Sequence, residues 1–110
     1  MNRDEAGDIL VVDDHPDNLD LLAGILRPQG YRVRWANGGK RGIRVAEAHP
    51  PDLLLLDIMM PDLNGYDVCR RLKANAETAH LPIIFLSALD DMPDKIKAFQ
   101  AGGVDYITKP

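Results

Sequence analysis

The sequence contains a single cysteine, Cys69, among its 110 residues. An internal disulfide is therefore impossible, as is a zinc site made of several thiolates, and we expect Cys69 to be a core residue. Aromatic residues make up 5% of the chain, too few for a platform on which nucleic-acid bases stack. No apolar run approaches the roughly 20 residues that span a bilayer, and the N-terminus lacks the apolar core of a signal peptide. These absences predict a cytoplasmic protein.

The charge balance is acidic, with 17 aspartates and glutamates against 13 lysines and arginines, a net charge of −4. Non-specific attraction to nucleic acid or to an anionic membrane needs a basic surface, so we expect neither partner. With 45% hydrophobic residues, a chain of this length can bury one core but not two. We predict a disordered lead-in over residues 1–7 and one domain over residues 8–110.

Short apolar runs along the chain predict strands. Residues 9–12 are apolar without alternation, and so are 53–57 and 83–87 up to their last residues, Asp57 and Ser87. Such runs are typical of strands buried on both faces of a parallel sheet. Residues 31–36 alternate apolar and charged side chains, which predicts a strand at the edge of the sheet. A last short strand is predicted at 104–107.

Segments of helical periodicity lie between these strands. The first predicted helix has Asp17 or Asn18 as its N-cap candidate, because both side chains can accept a hydrogen bond from the first helical turn. Further helices are predicted around 43–46, over 66–72 and over 93–101. The alternation of strand and helix predicts an α/β fold, with a doubly wound, five-stranded parallel sheet covered by helices on both faces.

Polar side chains stand where the buried strands end. Asp13 and Asp14 follow the first strand, and Asp57 ends the third. Ser87 ends the fourth strand, and Lys109 comes just after the fifth. Because ligands of open parallel sheets bind at the carboxyl ends of the strands, we expect these side chains to converge. Three carboxylates at close range repel one another, and Mg²⁺, which prefers hard oxygen ligands, would remove that conflict.

Such a site favours phosphoryl chemistry. A lysine and a hydroxyl beside the metal can bind a phosphoryl group, and a carboxylate can act as a nucleophile that forms an aspartyl phosphate. The residues therefore predict Mg²⁺-dependent phosphoryl chemistry on an aspartate. They leave open which aspartate reacts.

Four motifs follow one another along the chain: VVDDHPDN at 11–18, LLLLDIMMPDLNGYDVCRRLK at 53–73, IIFLSA at 83–88 and AGGVDYITKP at 101–110. Together they resemble the receiver domain of two-component response regulators, a CheY-like phosphoacceptor domain. The resemblance implies a flavodoxin-like fold with strand order 2-1-3-4-5. Receivers usually continue with one more helix after the fifth strand. We therefore expect that last helix to be absent from this chain, and the face it would cover to be open to association or dimerisation.

The resemblance implies a phosphoacceptor and a set of metal ligands. Asp57 would accept the phosphoryl group and contact the metal. Asp14 would bind Mg²⁺ directly, and Asp13 would bind it through water. The backbone carbonyl of Met59 would supply a further ligand.

The resemblance also implies switch residues at the next two strand ends. Ser87 would donate a hydrogen bond to the phosphoryl group, and Lys109 would pair with the same group. Tyr106 would be the aromatic switch residue that turns inward when Ser87 moves. The peptide bond between Lys109 and Pro110 would be cis.

The resemblance implies a phosphorylation-switched signalling domain. A histidine kinase or phosphotransfer protein would donate the phosphoryl group, and an output domain or downstream effector would read the changed surface. Such a domain takes part in its own phosphorylation and dephosphorylation, and we expect no enzyme activity on an external substrate. Two alternatives stay open: a receiver-like interaction module without phosphorylation, and a Mg²⁺-dependent aspartyl phosphohydrolase. Such hydrolases commonly carry a second acid two residues after the nucleophile, where this chain has Met59.

Overall fold

A computed structural model of the chain describes residues 7–87, Gly102 and 105–108. Within them, five parallel strands form one sheet in the order β2-β1-β3-β4-β5. The α/β fold and the predicted strand order are confirmed. The strands are β1 (Gly7–Val12), β2 (Tyr31–Ala36), β3 (Leu53–Asp57), β4 (Ile83–Ser87) and β5 (Asp105–Thr108). The described helices are α1 (Pro16–Leu26), α2 (Gly39–Ala48) and α3 (Gly65–Ala74).

The sheet separates two apolar clusters because successive residues of a strand point to opposite faces. On one face, Leu10 and Leu54 pack with α2 and α3. On the other face, Val11 and Leu55 pack with α1. These central residues are at most 5% exposed, as the unbroken apolar runs predict. The rigid centre of the sheet therefore carries the residues that end β1 and β3.

The helix termini differ in part from the sequence prediction. The N-cap of α1 is His15, which makes no capping hydrogen bond with its side chain, so the prediction of Asp17 or Asn18 was wrong. The side chain of Asn18 contacts Asp13 instead, as described below. In α3, by contrast, the side chain of the N-cap residue Asn64 accepts a hydrogen bond from a backbone N–H of the first turn.

Some predictions fall on other parts of the chain. The helix predicted at 93–101 and the peptide bond at 109–110 lie outside the described residues, as does the predicted lead-in except for Gly7, which begins β1. Cys69 is buried, as predicted, and burial raises the pKa of its thiol to about 11. Of the helices in the described segments, none has the length and apolar character needed to cross a membrane.

Candidate functional site

The ends of β1 and β3 bring three carboxylates together. The two strands are neighbours, with Val12 opposite Leu56, so the residues that follow them emerge side by side. One carboxylate oxygen from each of Asp13, Asp14 and Asp57, together with a ring nitrogen of His15, lies within 4.8 Å of the others. The side chains of Asp13 and Asp57 are almost completely buried. The convergence expected of the three carboxylates is therefore present in the fold.

The carboxylate of Asp13 is engaged at both oxygens. Its Oδ1 accepts a hydrogen bond from the backbone N–H of His15 at 3.0 Å and lies 3.2 Å from Nδ1 of the same residue. Its Oδ2 accepts a hydrogen bond from the amide nitrogen of Asn18 at 3.0 Å. The backbone carbonyl of Asp13 accepts a hydrogen bond from the indole N–H of Trp35 at 3.1 Å. These contacts hold Asp13 in one orientation.

Asp14 differs from Asp13 because neither a backbone N–H nor a side-chain amide of the described residues donates to its buried Oδ1. Oδ1 of Asp14 accepts no hydrogen bond from the described residues. It lies 2.9 Å from Nδ1 of His15, which forms an ion pair only when the imidazole is protonated. A buried carboxylate oxygen is costly to desolvate, and coordination of a cation would compensate that cost.

Asp57 directly precedes the loop that connects β3 to α3. Its Oδ1 accepts a hydrogen bond from the backbone N–H of Met59 at 3.3 Å. The N–H of Gly65 donates to the carbonyl of Ile58 at 2.8 Å, which closes the loop at its base. A Cβ atom at Gly65 would lie 2.4 Å from the carbonyl oxygen of Asp57, so only glycine fits there without movement of the backbone.

The donor set fits the metal that the resemblance implies. It consists of carboxylate oxygens, which are hard ligands, and the described part of the chain contributes no thiolate to it. The mutual repulsion of three carboxylates within 4.8 Å would be relieved by a divalent cation. The single nitrogen, from His15, is a borderline ligand that Mg²⁺ does not require.

The backbone places Ser87 at the same ends of the strands as Asp57. Asp57 pairs with Leu86, so Ser87 lies one residue beyond that pair at the end of β4. In β5, Tyr106 pairs with Phe85. The side chains of Ser87 and Tyr106, and the whole of Lys109, lie outside the described residues.

Sequence reasoning missed three residues that surround Asp13. His15 is not among the predicted metal ligands, yet its ring contacts both neighbouring aspartates, Asp13 and Asp14. Asn18 was considered only as a helix cap, although its position five residues after Asp13, on the first turn of α1, could have suggested a contact. Trp35 lies 22 residues from Asp13 in the sequence, and no local pattern signals that contact.

Comparisons with known proteins agree with this architecture. The response regulator receiver domain family matches residues 9–110. The chain is 42% identical over 102 residues to the DNA-binding dual master transcriptional regulator RpaA of Synechocystis sp., covering 93% of this chain and 42% of RpaA. It is 39% identical over 102 residues to Protein PilH of Pseudomonas aeruginosa, covering 93% of this chain and 84% of PilH.

Solved structures show the same fold. The N-terminal domain of a response regulator receiver protein from Methanoculleus marisnigri superimposes with a TM-score of 0.87 at 36% identity, covering 96% of this chain and 86% of that one. The chain spans less than half the length of several curated relatives, RpaA among them at 42%. The match over residues 9–110, the relatives and the shared fold lead to one conclusion. The chain belongs to the response regulator receiver domain family, the phosphorylation-switched signalling domains of two-component systems.

Proposed function

We propose that this receiver domain, over residues 8–110, accepts a phosphoryl group on Asp57 in a reaction that requires Mg²⁺. The observation that carries the proposal is the convergence of three carboxylates within 4.8 Å at the carboxyl ends of β1 and β3. Asp57 is the member of this cluster that ends the central strand β3. The end of a central strand fixes the position of its side chain, which suits a nucleophile that must attack an incoming phosphorus atom in line.

The contacts of the two neighbouring aspartates support different roles for them. Asp14 has a buried oxygen without a hydrogen bond from the described residues, which suits direct coordination of Mg²⁺. Both oxygens of Asp13 already accept hydrogen bonds, which suits contact with the metal through a water molecule. The carbonyl of Met59, two residues after Asp57, is the proposed backbone ligand.

The proposed reaction transfers a phosphoryl group from a phosphohistidine of the donor. A carboxylate oxygen of Asp57 attacks the phosphorus, the new P–O bond forms, and the P–N bond to the donor imidazole breaks with its electron pair returning to that ring. Bound Mg²⁺ would neutralise charge on the phosphoryl oxygens. Lys109 and Ser87 would bind those oxygens, and Ser87 with Tyr106 would pass the change to the surface.

The donor we propose is a histidine kinase or a phosphotransfer protein, and the reader is an output domain or a downstream effector. RpaA is named as a DNA-binding transcriptional regulator, and a further structural neighbour is the receiver domain of a histidine kinase from Syntrophus aciditrophicus, with a TM-score of 0.84 at 36% identity. Both kinds of parent protein therefore suit the proposal. The acidic balance of the chain supports a domain that does not itself bind nucleic acid. The cytoplasmic location and the lack of activity on an external substrate stay predictions.

The experiment is phosphorylation by a small-molecule donor, read by intact mass. The protein and its Asp57→Asn variant are incubated with acetyl phosphate, with and without Mg²⁺. We expect one added phosphoryl group on the wild type, only with Mg²⁺, and none on the variant. An equal adduct on Asp57→Asn would mean that another residue accepts the phosphoryl group. No adduct on either protein would favour the interaction module, and steady release of phosphate from unrelated phosphate esters would favour the phosphohydrolase.

A further inference from the structure

The N-terminus of α2 is capped by a side chain from a different part of the chain. Its N-cap residue is Gly38, which has no side chain to satisfy the first free N–H groups of the helix. Asp62 supplies what is missing. Its Oδ1 accepts a hydrogen bond from the N–H of Gly39 at 3.0 Å, and its Oδ2 accepts one from the N–H of Lys40 at 2.9 Å.

Close packing accompanies these two hydrogen bonds. A Cβ atom at Gly39 would lie 2.9 Å from Cβ of Leu63 and 2.9 Å from a methyl group of Val68. Gly38 has a φ of +108°, a conformation that side chains of L-residues rarely adopt, and a Cβ there would meet the Asp62 carboxylate at 3.4 Å. The two glycines therefore let the start of α2 approach Asp62 and Leu63 closely.

Asp62 belongs to the segment that also carries the proposed metal ligand. We use the term site loop for residues 58–64, between Asp57 and the first residue of α3. The loop is fixed at its base, where Ile58 donates its N–H to the carbonyl of Leu86 at 3.2 Å and accepts the N–H of Gly65 at 2.8 Å. The hydrogen bonds of Asp62 hold the tip against α2.

We propose that Asp62 is a positioning residue for the metal site: by bonding the start of α2, it holds the site loop so that the carbonyl of Met59 faces the carboxylate cluster. The proposal rests on the proposed function, because it assumes that Mg²⁺ binds beside Asp57. Partners that orient metal ligands commonly matter for affinity although they do not touch the metal. The backbone N–H groups of α2 also lower the pKa of Asp62, so the carboxylate that makes these bonds is ionised at neutral pH.

The test measures Mg²⁺ affinity directly, without a phosphoryl donor. Trp35 is the single tryptophan of the chain, and its indole N–H donates to the carbonyl of Asp13, so its fluorescence is suited to report metal binding. We expect Asp62→Ala to raise the dissociation constant of Mg²⁺ about tenfold. Asp62→Asn keeps one acceptor oxygen and should lose less affinity than Asp62→Ala.

Two controls separate positioning from charge and from helix stability. Both Asp62 variants remove the same negative charge, so equal losses of affinity in the two would mean that charge alone acts, and the proposal would be overturned. Arg44→Gly weakens α2 at an exposed position away from the site loop, and we expect it to lower stability while the Mg²⁺ dissociation constant stays unchanged. An equal loss of affinity in Arg44→Gly would overturn the proposal as well.

The wild type and Asp14→Asn complete the design. If the wild type binds Mg²⁺ and Asp14→Asn does not, while Asp62→Ala binds as the wild type does, the positioning role alone is wrong. If the wild type shows no binding of Mg²⁺, the proposed function fails and the positioning role fails with it.

Discussion

Aspartates at the carboxyl ends of the strands, here called the carboxyl edge of the sheet, have different surroundings from those at the amino ends, the amino edge. At the carboxyl edge, Asp13, Asp14 and Asp57 face one another within 4.8 Å. At the amino edge, Asp8 faces a guanidinium, with Oδ1 of Asp8 at 3.0 Å from Nε of Arg34. Asp52, beside it, accepts a hydrogen bond from the backbone N–H of Asp8 at 2.7 Å. Carboxylates at the amino edge are thus matched with donors of the fold itself.

The difference distinguishes a structural use of charge from a functional one. The ion pair of Asp8 and Arg34 joins β1 to β2, and its two charges compensate each other without a bound ligand. Buried carboxylates that face one another raise the free energy of the folded state, and a fold that keeps them has a use for the charge. The comparison predicts that substitutions at the two edges will change stability by different amounts and even in different directions.

The largest effect is expected from a glycine at the carboxyl edge. Gly65→Ala should lower the free energy of unfolding by about 3 kcal/mol, because the new Cβ would lie 2.4 Å from the carbonyl oxygen of Asp57. At the amino edge, Gly7→Ala should cost about 1 kcal/mol, since Gly7 has a φ of +144° but ordinary space around it. Urea unfolding of both variants measures the difference. Similar losses would mean that the two edges are equally tightly packed.

Mg²⁺ should stabilise the protein through one edge only. At a concentration 100 times its dissociation constant, Mg²⁺ should raise the free energy of unfolding by about 2.7 kcal/mol. Asp14→Asn should abolish this gain, whereas Asp8→Asn should keep it, because Asp8 lies at the opposite edge. Thermal unfolding with and without Mg²⁺ checks both variants. A gain that survives in Asp14→Asn would contradict the proposed role of that residue.

Without metal, Asp14→Asn should stabilise the protein. Removal of one of the carboxylates that face one another relieves their repulsion, and we expect a gain of about 1 kcal/mol in the free energy of unfolding. The measurement is urea unfolding of the wild type and the variant in EDTA. A loss of stability in Asp14→Asn would show that the cluster is compensated within the fold.

The smallest effect, of opposite sign, is expected at the amino edge. Asp8→Asn should lower the free energy of unfolding by about 0.5 kcal/mol, because its ion pair with Arg34 is partly exposed and weak. Salt should reduce the difference between the wild type and the variant. Arg34→Ala should cost more, since that side chain also donates to the carbonyl of His49 at 2.7 Å. If neither variant changes the free energy of unfolding, the charges at the amino edge have no structural role.

Local patterns in the sequence were sufficient to predict the bounds of three of the strands. The strands at 31–36, 53–57 and 83–87 have the predicted bounds, because apolar runs and alternation report burial directly. The N-cap of α1 was predicted wrongly, because the helix begins at Pro16 and Asp17 and Asn18 therefore lie inside its first turn. Asn18 bonds the carboxylate of Asp13 rather than the backbone of its own helix.

The contacts that shape the site join residues far apart in the sequence. Trp35 bonds Asp13 across 22 residues, and Asp62 caps a helix that begins 23 residues before it. Such pairs leave no periodicity that a reading of the chain could detect. The same holds for the space around Gly65, which is set by how the site loop returns to Asp57.

The sequence by itself determined the fold class, the strand order through its resemblance to receivers, and the set of carboxylates that would meet. Burial patterns and strand ends are enough for these, since the carboxyl ends of parallel strands share one edge. Only the tertiary structure decided which carboxylates are already hydrogen-bonded and which side chain holds the site loop. Hydrogen bonds depend on distances and angles between elements, which exist only once the helices and strands have packed.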